Sequence, residues 1–254
     1  SGGSVGREGP IIQIGSAIGS TIGQFFKLSK RRMQTLVGCG AAAGIAAAFN
    51  TPIAGAMFAV EILLGDFAIS QFSPIVISSV SATVISRMFY GDFPAFQVPK
   101  YALVHPLELL SYALLGLIAG FVGILFIKVL YFLEDKFDAV QVPDFYKTTF
   151  GGILLGIIGL KFPEVLGVGY EALNQALLGE MGIMFLFALI FMKILASSIT
   201  LGSGSSGGIF APSLFMGAMT GGFFGNIVHK LFPAITAGPG AYALVAMSAV
   251  VAAT

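Results

Sequence analysis

Charge is what this chain has least of. Only 10% of its 254 residues are Asp, Glu, Lys or Arg, where a soluble globular chain carries about a quarter. That scarcity excludes a water-facing surface over most of the molecule. The 13 basic and 12 acidic residues leave a formal net charge of +1, so no broad basic field marks nucleic acid as a partner. An anion, if one is handled, must be held by local dipoles rather than by bulk charge. Cysteine is nearly absent too. Cys39 stands alone, so no internal disulfide can form, and within its Gly/Ala-rich run it reads as a small packing residue. With only His105 and His229 besides, no Cys/His cluster has metal-ligand spacing, and neither a metal nor a cofactor is expected. No secretory signal peptide is visible. The Ser/Gly run before Ile209 is followed by no Gly-Lys-Ser/Thr and so is no P-loop.

Apolar residues are what is there. They make up 56% of the chain, and mean hydropathy is strongly positive. An all-α, multi-pass integral membrane protein in contact with a lipid bilayer follows. Apolar runs predict helices over residues 10–26, 35–49, 53–64, 73–89, 107–133, 150–160, 170–178, 183–199 and 212–229, with a last run over 242–253. The basic cluster Lys27, Lys30, Arg31 and Arg32 is expected to be a solvated loop. Residues 90–105 form the longest polar interruption. Glu134, Asp135, Lys136 and Asp138 read as the solvated end of the long helix, an aqueous boundary, and Asp66 with Gly65 as another. Several runs are shorter than the ~20 residues of a simple span. They point to broken, tilted or re-entrant helices, which are tolerated where backbone lines a polar cavity. Ser1 lies in a glycine-rich stretch that reads as mid-loop, and Thr254 ends an apolar run without a stop signal. A fragment of a longer membrane protein is the expectation.

One stretch organises the rest. Gly6-Arg7-Glu8-Gly9-Pro10 opens into the apolar run that follows. Proline suits a first helical turn, where its missing N–H has no partner to lose. A helix start exposes unpaired amides and carries partial positive charge, which makes it an anion site. Glu8 places a carboxylate there, either to complement the dipole at ~0.3–1 kcal/mol or to compete with an anion. A second stretch matches it at one fixed offset. Gly6, Pro10, Gly15, Gly19 and Gly23 pair with Gly208, Pro212, Gly217, Gly221 and Gly225. Downstream, Leu36-Val37 and Leu244-Val245 each precede Gly/Ala-rich sequence. Small-residue packing explains the GxxxG spacing but not the matched Gly and Pro at both helix starts. A duplication does, and it would bring two helix N-termini to one dehydrated anion held by backbone N–H groups. Partial charges hold an ion without trapping it.

These residues resemble the CLC family of chloride channels and chloride/proton exchangers, in its bacterial form. Gly6–Pro10 is similar to the family's GREGP motif, and Gly207-Gly208-Ile209-Phe210-Ala211-Pro212 to its GGIFAP motif. Gly40 to Gly44 leading into Ala47-Ala48-Phe49-Asn50-Thr51-Pro52 is similar to the stretch between them. The resemblance runs over essentially the whole chain. It implies a CLC-type inverted-repeat helical bundle, with residues 1–90 as the latter part of the first repeat and 107–254 as most of the second. It further implies a homodimer with one pore per subunit, a bacterial inner-membrane location, chloride as the transported partner with protons added only in an exchanger, and no enzymatic activity. By the match, Glu8 takes the place of the gating glutamate. Ile209 and Phe210 take the place of residues whose amides hold the central chloride, and Gly9 would lend an amide to a more external site.

The resemblance has three gaps. The family's GSGIP serine would precede Ser1, and its pore tyrosine would follow Thr254. Glu61 matches a common glutamate, but Ile62 stands where many exchangers carry a proton-relay glutamate, so channel and exchanger both stay open. Glu61 and Lys193 are each read either as structurally paired or as pore-mouth residues. Two rival functions fit part of the pattern. A secondary transporter of an organic anion would use the same repeat logic but would need side-chain contacts that Gly, Ile and Phe do not offer. Gly204-Ser205-Ser206-Gly207 fits the GxSG pattern of rhomboid-like proteases, with Ser206 as nucleophile. Only His105 and His229 could serve as its base, and His229 lies roughly 25 Å away along a helix.

Overall fold

The computed structural model describes residues 2–65, 69–94, 96 and 98–254; Ser1 and Asp66, both named above, lie outside the described residues. Among the described residues the fold is all-α, and the sole extended pairing is an isolated bridge between Gly6 and Gly208. The chain divides into two compact units, Arg7–Ala95 and Ser1–Gly6 with Phe96–Thr254.

In the first unit, α1 (Glu8–Phe25) and α2 (Lys30–Phe49) form an antiparallel-connected pair around glycine. Gly15 and Gly19 share one stripe of α1 at i, i+4 spacing. A Cβ on Gly15 would land on the Gly40 carbonyl, and one on Gly19 on the Leu36 carbonyl. Such backbone-to-backbone approach matters in lipid, where burying a leucine gains little because the surrounding tails are equally apolar. Behind it, Ala41, Ala42, Ala56, Ala59, Val60 and Ile75 make a small-residue core, joined by buried Cys39 in the packing role expected of it. Asn50 ends α2 in the left-handed region (φ 58°), and Pro52 then opens α3 (Pro52–Phe58). This continues into a π-helical segment, Ala59–Leu64, before α4 (Ile69–Tyr90), which takes Pro74 in its second turn.

The second unit holds α5 (Glu108–Asp138), α6 (Asp144–Lys161), a 3₁₀ turn at Pro163–Val165, α7 (Tyr170–Leu178), α8 (Ile183–Gly202), α9 (Phe210–Leu231) and α10 (Pro239–Ala253). Its core gathers Phe126, Leu173, Leu177, Leu189, Phe215 and Met219 around α8 and α9. The α9–α10 pair repeats the device of α1–α2. Added Cβ atoms on Gly217 and Gly221 would strike the backbone of α10 at Ala246–Met247 and at Tyr242.

By length and composition three described helices can cross a membrane: Ser70–Tyr90, Glu108–Asp138 and Ile183–Gly202. With the shorter apolar helices Pro52–Leu64 and Pro239–Ala253, they make this a multi-pass integral membrane protein. One expectation needs correction. Lys30, Arg31 and Arg32 are not loop but the first turn of α2, with exposed side chains that a helix start accommodates as readily as a loop. Glu134, Asp135, Lys136 and Asp138 form the exposed last turns of α5, the solvated helix end expected of them.

Candidate functional site

The two matched helix starts are built alike. At α1 the residue before the helix, Arg7, has φ −93° and ψ 4°; at α9 its counterpart Ile209 has φ −92° and ψ −13°. Neither helix has a side-chain cap. Intrahelical bonding begins with Ile11 N–H to the Arg7 carbonyl (3.2 Å) in one and Ser213 N–H to the Ile209 carbonyl (2.9 Å) in the other. Pro10 and Pro212 occupy the third helical position of each and bring no N–H. Each start therefore aims the amides of its first two residues outward: Glu8 and Gly9 in α1, Phe210 and Ala211 in α9. The partial positive charge of an N-terminus falls on those groups.

Glu8 is only 6% exposed. Its neighbour Gly9 faces open space, because a Cβ there would touch nothing within 4 Å. Ile209 and Phe210 keep partly exposed side chains, while Ala211, Pro212 and Ser213 behind them are buried. Arg7 turns its guanidinium over the Phe49 ring, 5.5 Å from the centroid. It lines a cavity of about 440 Å³ in the first unit with Asn50, Ser86, Arg87 and Tyr90. There Arg87 Nε donates to Asn50 Oδ1 at 2.7 Å and Asn50 Nδ2 donates to Asp92 Oδ1 at 2.7 Å.

The segment before Glu8 is anchored in the second unit. Gly6 N–H donates to the Gly208 carbonyl (2.8 Å) and Gly208 N–H to the Gly6 carbonyl (2.9 Å). A Cβ on Gly207 would collide with Val5. Ser4, fully buried, donates its hydroxyl to the Val165 carbonyl at 2.7 Å and its N–H to Thr200 Oγ1 at 3.2 Å. Sequence reading missed this seam, because a lone serine in a glycine run carries no periodic signal.

The remaining candidates separate. Glu61 is exposed on the π-helical segment, and Ile62 beside it is 63% exposed. Lys193 is wholly buried and bonded to backbone carbonyls. His229 is in the last turn of α9, where Nδ1 lies 3.2 Å from both Thr236 Oγ1 and the Thr236 carbonyl. Ser206 precedes that helix, so its whole length of roughly 30 Å stands between the two, too far for proton transfer. No group of three or more His, Cys, Asp or Glu could hold a metal ion among the described residues.

One further residue escaped the sequence reading. Glu108 is 1% exposed and accepts from Ala237 N–H (2.7 Å), Val104 N–H (3.1 Å) and the Tyr112 hydroxyl (3.0 Å). A carboxylate just after Pro106, with a tyrosine four residues on, was the available signal.

Comparison with known proteins extends these observations. A ClcB-like protein of Ralstonia nicotianae is 36% identical over 258 residues, covering 100% of this chain and 60% of that protein. The H+/Cl− exchange transporter ClcA of Vibrio vulnificus is 35% identical over 262 residues, covering 100% of this chain and 56% of its own length. The chain thus spans about 60% or less of these relatives. Among solved structures, a slow cyanobacterial Cl−/H+ antiporter superposes with a TM-score of 0.87 at 31% identity, over 99% of this chain and 60% of that one. A CLC-type fluoride/proton antiporter shares the fold with a TM-score of 0.83 at 24% identity, over 99% of this chain and 62% of its own. The family model described as voltage gated chloride channel matches residues 1–254, and the chain belongs to that family.

Proposed function

We propose that the protein of which this chain is part moves chloride across a membrane as a CLC-type channel or chloride/proton exchanger. The observation that carries this is the pair of uncapped helix starts, alike in backbone angles and in the placement of Gly and Pro. In this reading the amides of Ile209 and Phe210 hold a dehydrated chloride at the start of α9, and Gly9 offers an amide to a more external position. Glu8 is the gate. Its carboxylate competes with the anion for positive helix-start dipoles, and protonation removes the competitor.

The chain's two halves, 1–90 and 107–254, are read as parts of two inverted repeats. The whole protein is read as a homodimer in a bacterial inner membrane, with no cofactor and no enzymatic step. The curated relative that exchanges protons for chloride supports a proton-coupled version. Ile62 supports the uncoupled one, because an aliphatic side chain carries no proton.

Reconstitution of the full-length protein into liposomes tests the proposal. Chloride efflux well above that of empty vesicles supports it. Efflux no faster than from empty vesicles, alongside transport of an organic anion, would overturn it. A reversal potential set by chloride alone across a pH gradient assigns a channel; a proton-dependent shift assigns an exchanger.

A further inference from the structure

We propose that Lys193, in its protonated form, strengthens anion binding at the start of α9. The inference rests on the function proposed above. Lys193 lies in the middle of α8, within an apolar span, and its side chain has no solvent exposure. Its Nζ donates to the carbonyls of Val165 and Gly167, both at 2.9 Å, and sits 4.8 Å from the centroid of the Phe215 ring. Among the described residues the ion pairs are Arg87–Asp92 and Lys147–Asp144; Lys193 has no carboxylate. Two carbonyl dipoles and an aromatic face orient the amine as donor, and no carboxylate among the described residues offsets the charge of its protonated form. An ionisable residue in such a position marks an ion path more often than a packing role.

The Phe215 contact places that amine against α9. Phe215 follows Phe210 by five residues on α9, about 7.5 Å of axial rise, and helical side chains lean toward the N-terminus. The ammonium against the Phe215 ring is therefore on the order of 10 Å from the amides of Ile209 and Phe210. Through an effective dielectric near 20, that separation corresponds to roughly a ten- to twentyfold gain in anion affinity. The same lysine also shares the Val165 carbonyl with the Ser4 hydroxyl. It thereby braces the segment whose Gly6 pairs with Gly208, two residues before Phe210. Lys193 is a positioning residue, acting through its field and not by touching the ion.

Charge and brace separate by substitution. Chloride affinity is measured by calorimetry on the full-length protein in detergent, with unfolding temperature recorded in parallel. Lys193→Gln keeps an N–H donor for the carbonyls and loses the charge; Lys193→Arg keeps the charge. Affinity lowered about tenfold or more in Lys193→Gln and retained in Lys193→Arg is the expected result. Wild-type affinity in a folded Lys193→Gln protein, with stability alone reduced, overturns the proposal. Should the neutral variant fail to fold, wild-type protein labelled at the lysine Cε gives the second reading. The Lys193 resonance, assigned by its loss in Lys193→Arg, must shift with the midpoint of chloride binding; a resonance that chloride leaves unmoved overturns the proposal equally. Failure of the wild-type protein to bind chloride would instead count against the proposed function itself.

Discussion

Gly6 and Gly208 exchange both of their backbone hydrogen bonds, at 2.8 and 2.9 Å. This reciprocal pair joins equivalent positions of the two matched stretches, each two residues before the helix it precedes. Gly207 must be glycine for the pair to close, because a Cβ there occupies the place of Val5. Gly207→Ala is expected to displace Val5 at a cost of about 1–3 kcal/mol and to weaken chloride binding by moving the start of α9. Calorimetry and thermal unfolding of the variant check both; unchanged values in each would dismiss the seam as incidental.

The glycine stripes give a second prediction. Gly19→Ala and Gly221→Ala each drive a methyl group into a facing backbone carbonyl, which side-chain rearrangement cannot relieve. Destabilisation of about 1–3 kcal/mol or more is expected for each. Gly116→Ala and Gly120→Ala on α5 meet nothing within 4 Å. They should be neutral or stabilising by up to ~1 kcal/mol, from helix propensity alone. Unfolding in a denaturing detergent series ranks the four.

Glu108 pins the connection between α9 and α10. Its carboxylate accepts two backbone N–H groups and one tyrosine hydroxyl in a site closed to solvent. Replacing it by Gln puts an amide N–H₂ where acceptors are needed, and a loss of about 1.5–3 kcal/mol is expected. Tyr112→Phe removes one neutral donor and should cost about 1 kcal/mol. The same unfolding series separates the two.

Tyr101, in the loop before α5, donates its hydroxyl to the Leu177 carbonyl. Burial raises its pKa above the ordinary value of 10.0. The folded state therefore holds the proton where an unfolded chain would release it. The stability this contributes is complete below pH 10 and is lost as pH climbs through the raised value. Tyr101→Phe should lose less stability than the wild type between neutral and strongly alkaline pH. Parallel pH-unfolding curves for the two proteins would contradict the assignment.

Much of this architecture is legible in the sequence, and what is not has physical reasons. The matched Gly and Pro positions foretell two like-built helix starts because few residues satisfy close approach and a donor-free first turn. The GxxxG stripes foretell which faces of α1 and α9 meet a neighbouring backbone. Helix ends are less legible: α5 outruns its apolar stretch and α2 begins within a basic cluster, since charged side chains extend a helix into water at no cost. The buried polar groups are least legible of all. Ser4, Glu108 and Lys193 find partners far along the chain, among them Val165, Ala237 and Gly167, and no local pattern announces a distant carbonyl.

The account turns on Glu8, and one measurement addresses it directly: chloride flux in liposomes as a function of pH, for the wild-type protein and for Glu8→Gln. A carboxylate that competes with chloride must lose its charge to yield, so wild-type flux should change with pH as Glu8 takes up a proton. Glu8→Gln, permanently neutral, should give flux independent of pH and free of any coupled proton movement. A variant whose flux follows pH as the wild type does would contradict the gate.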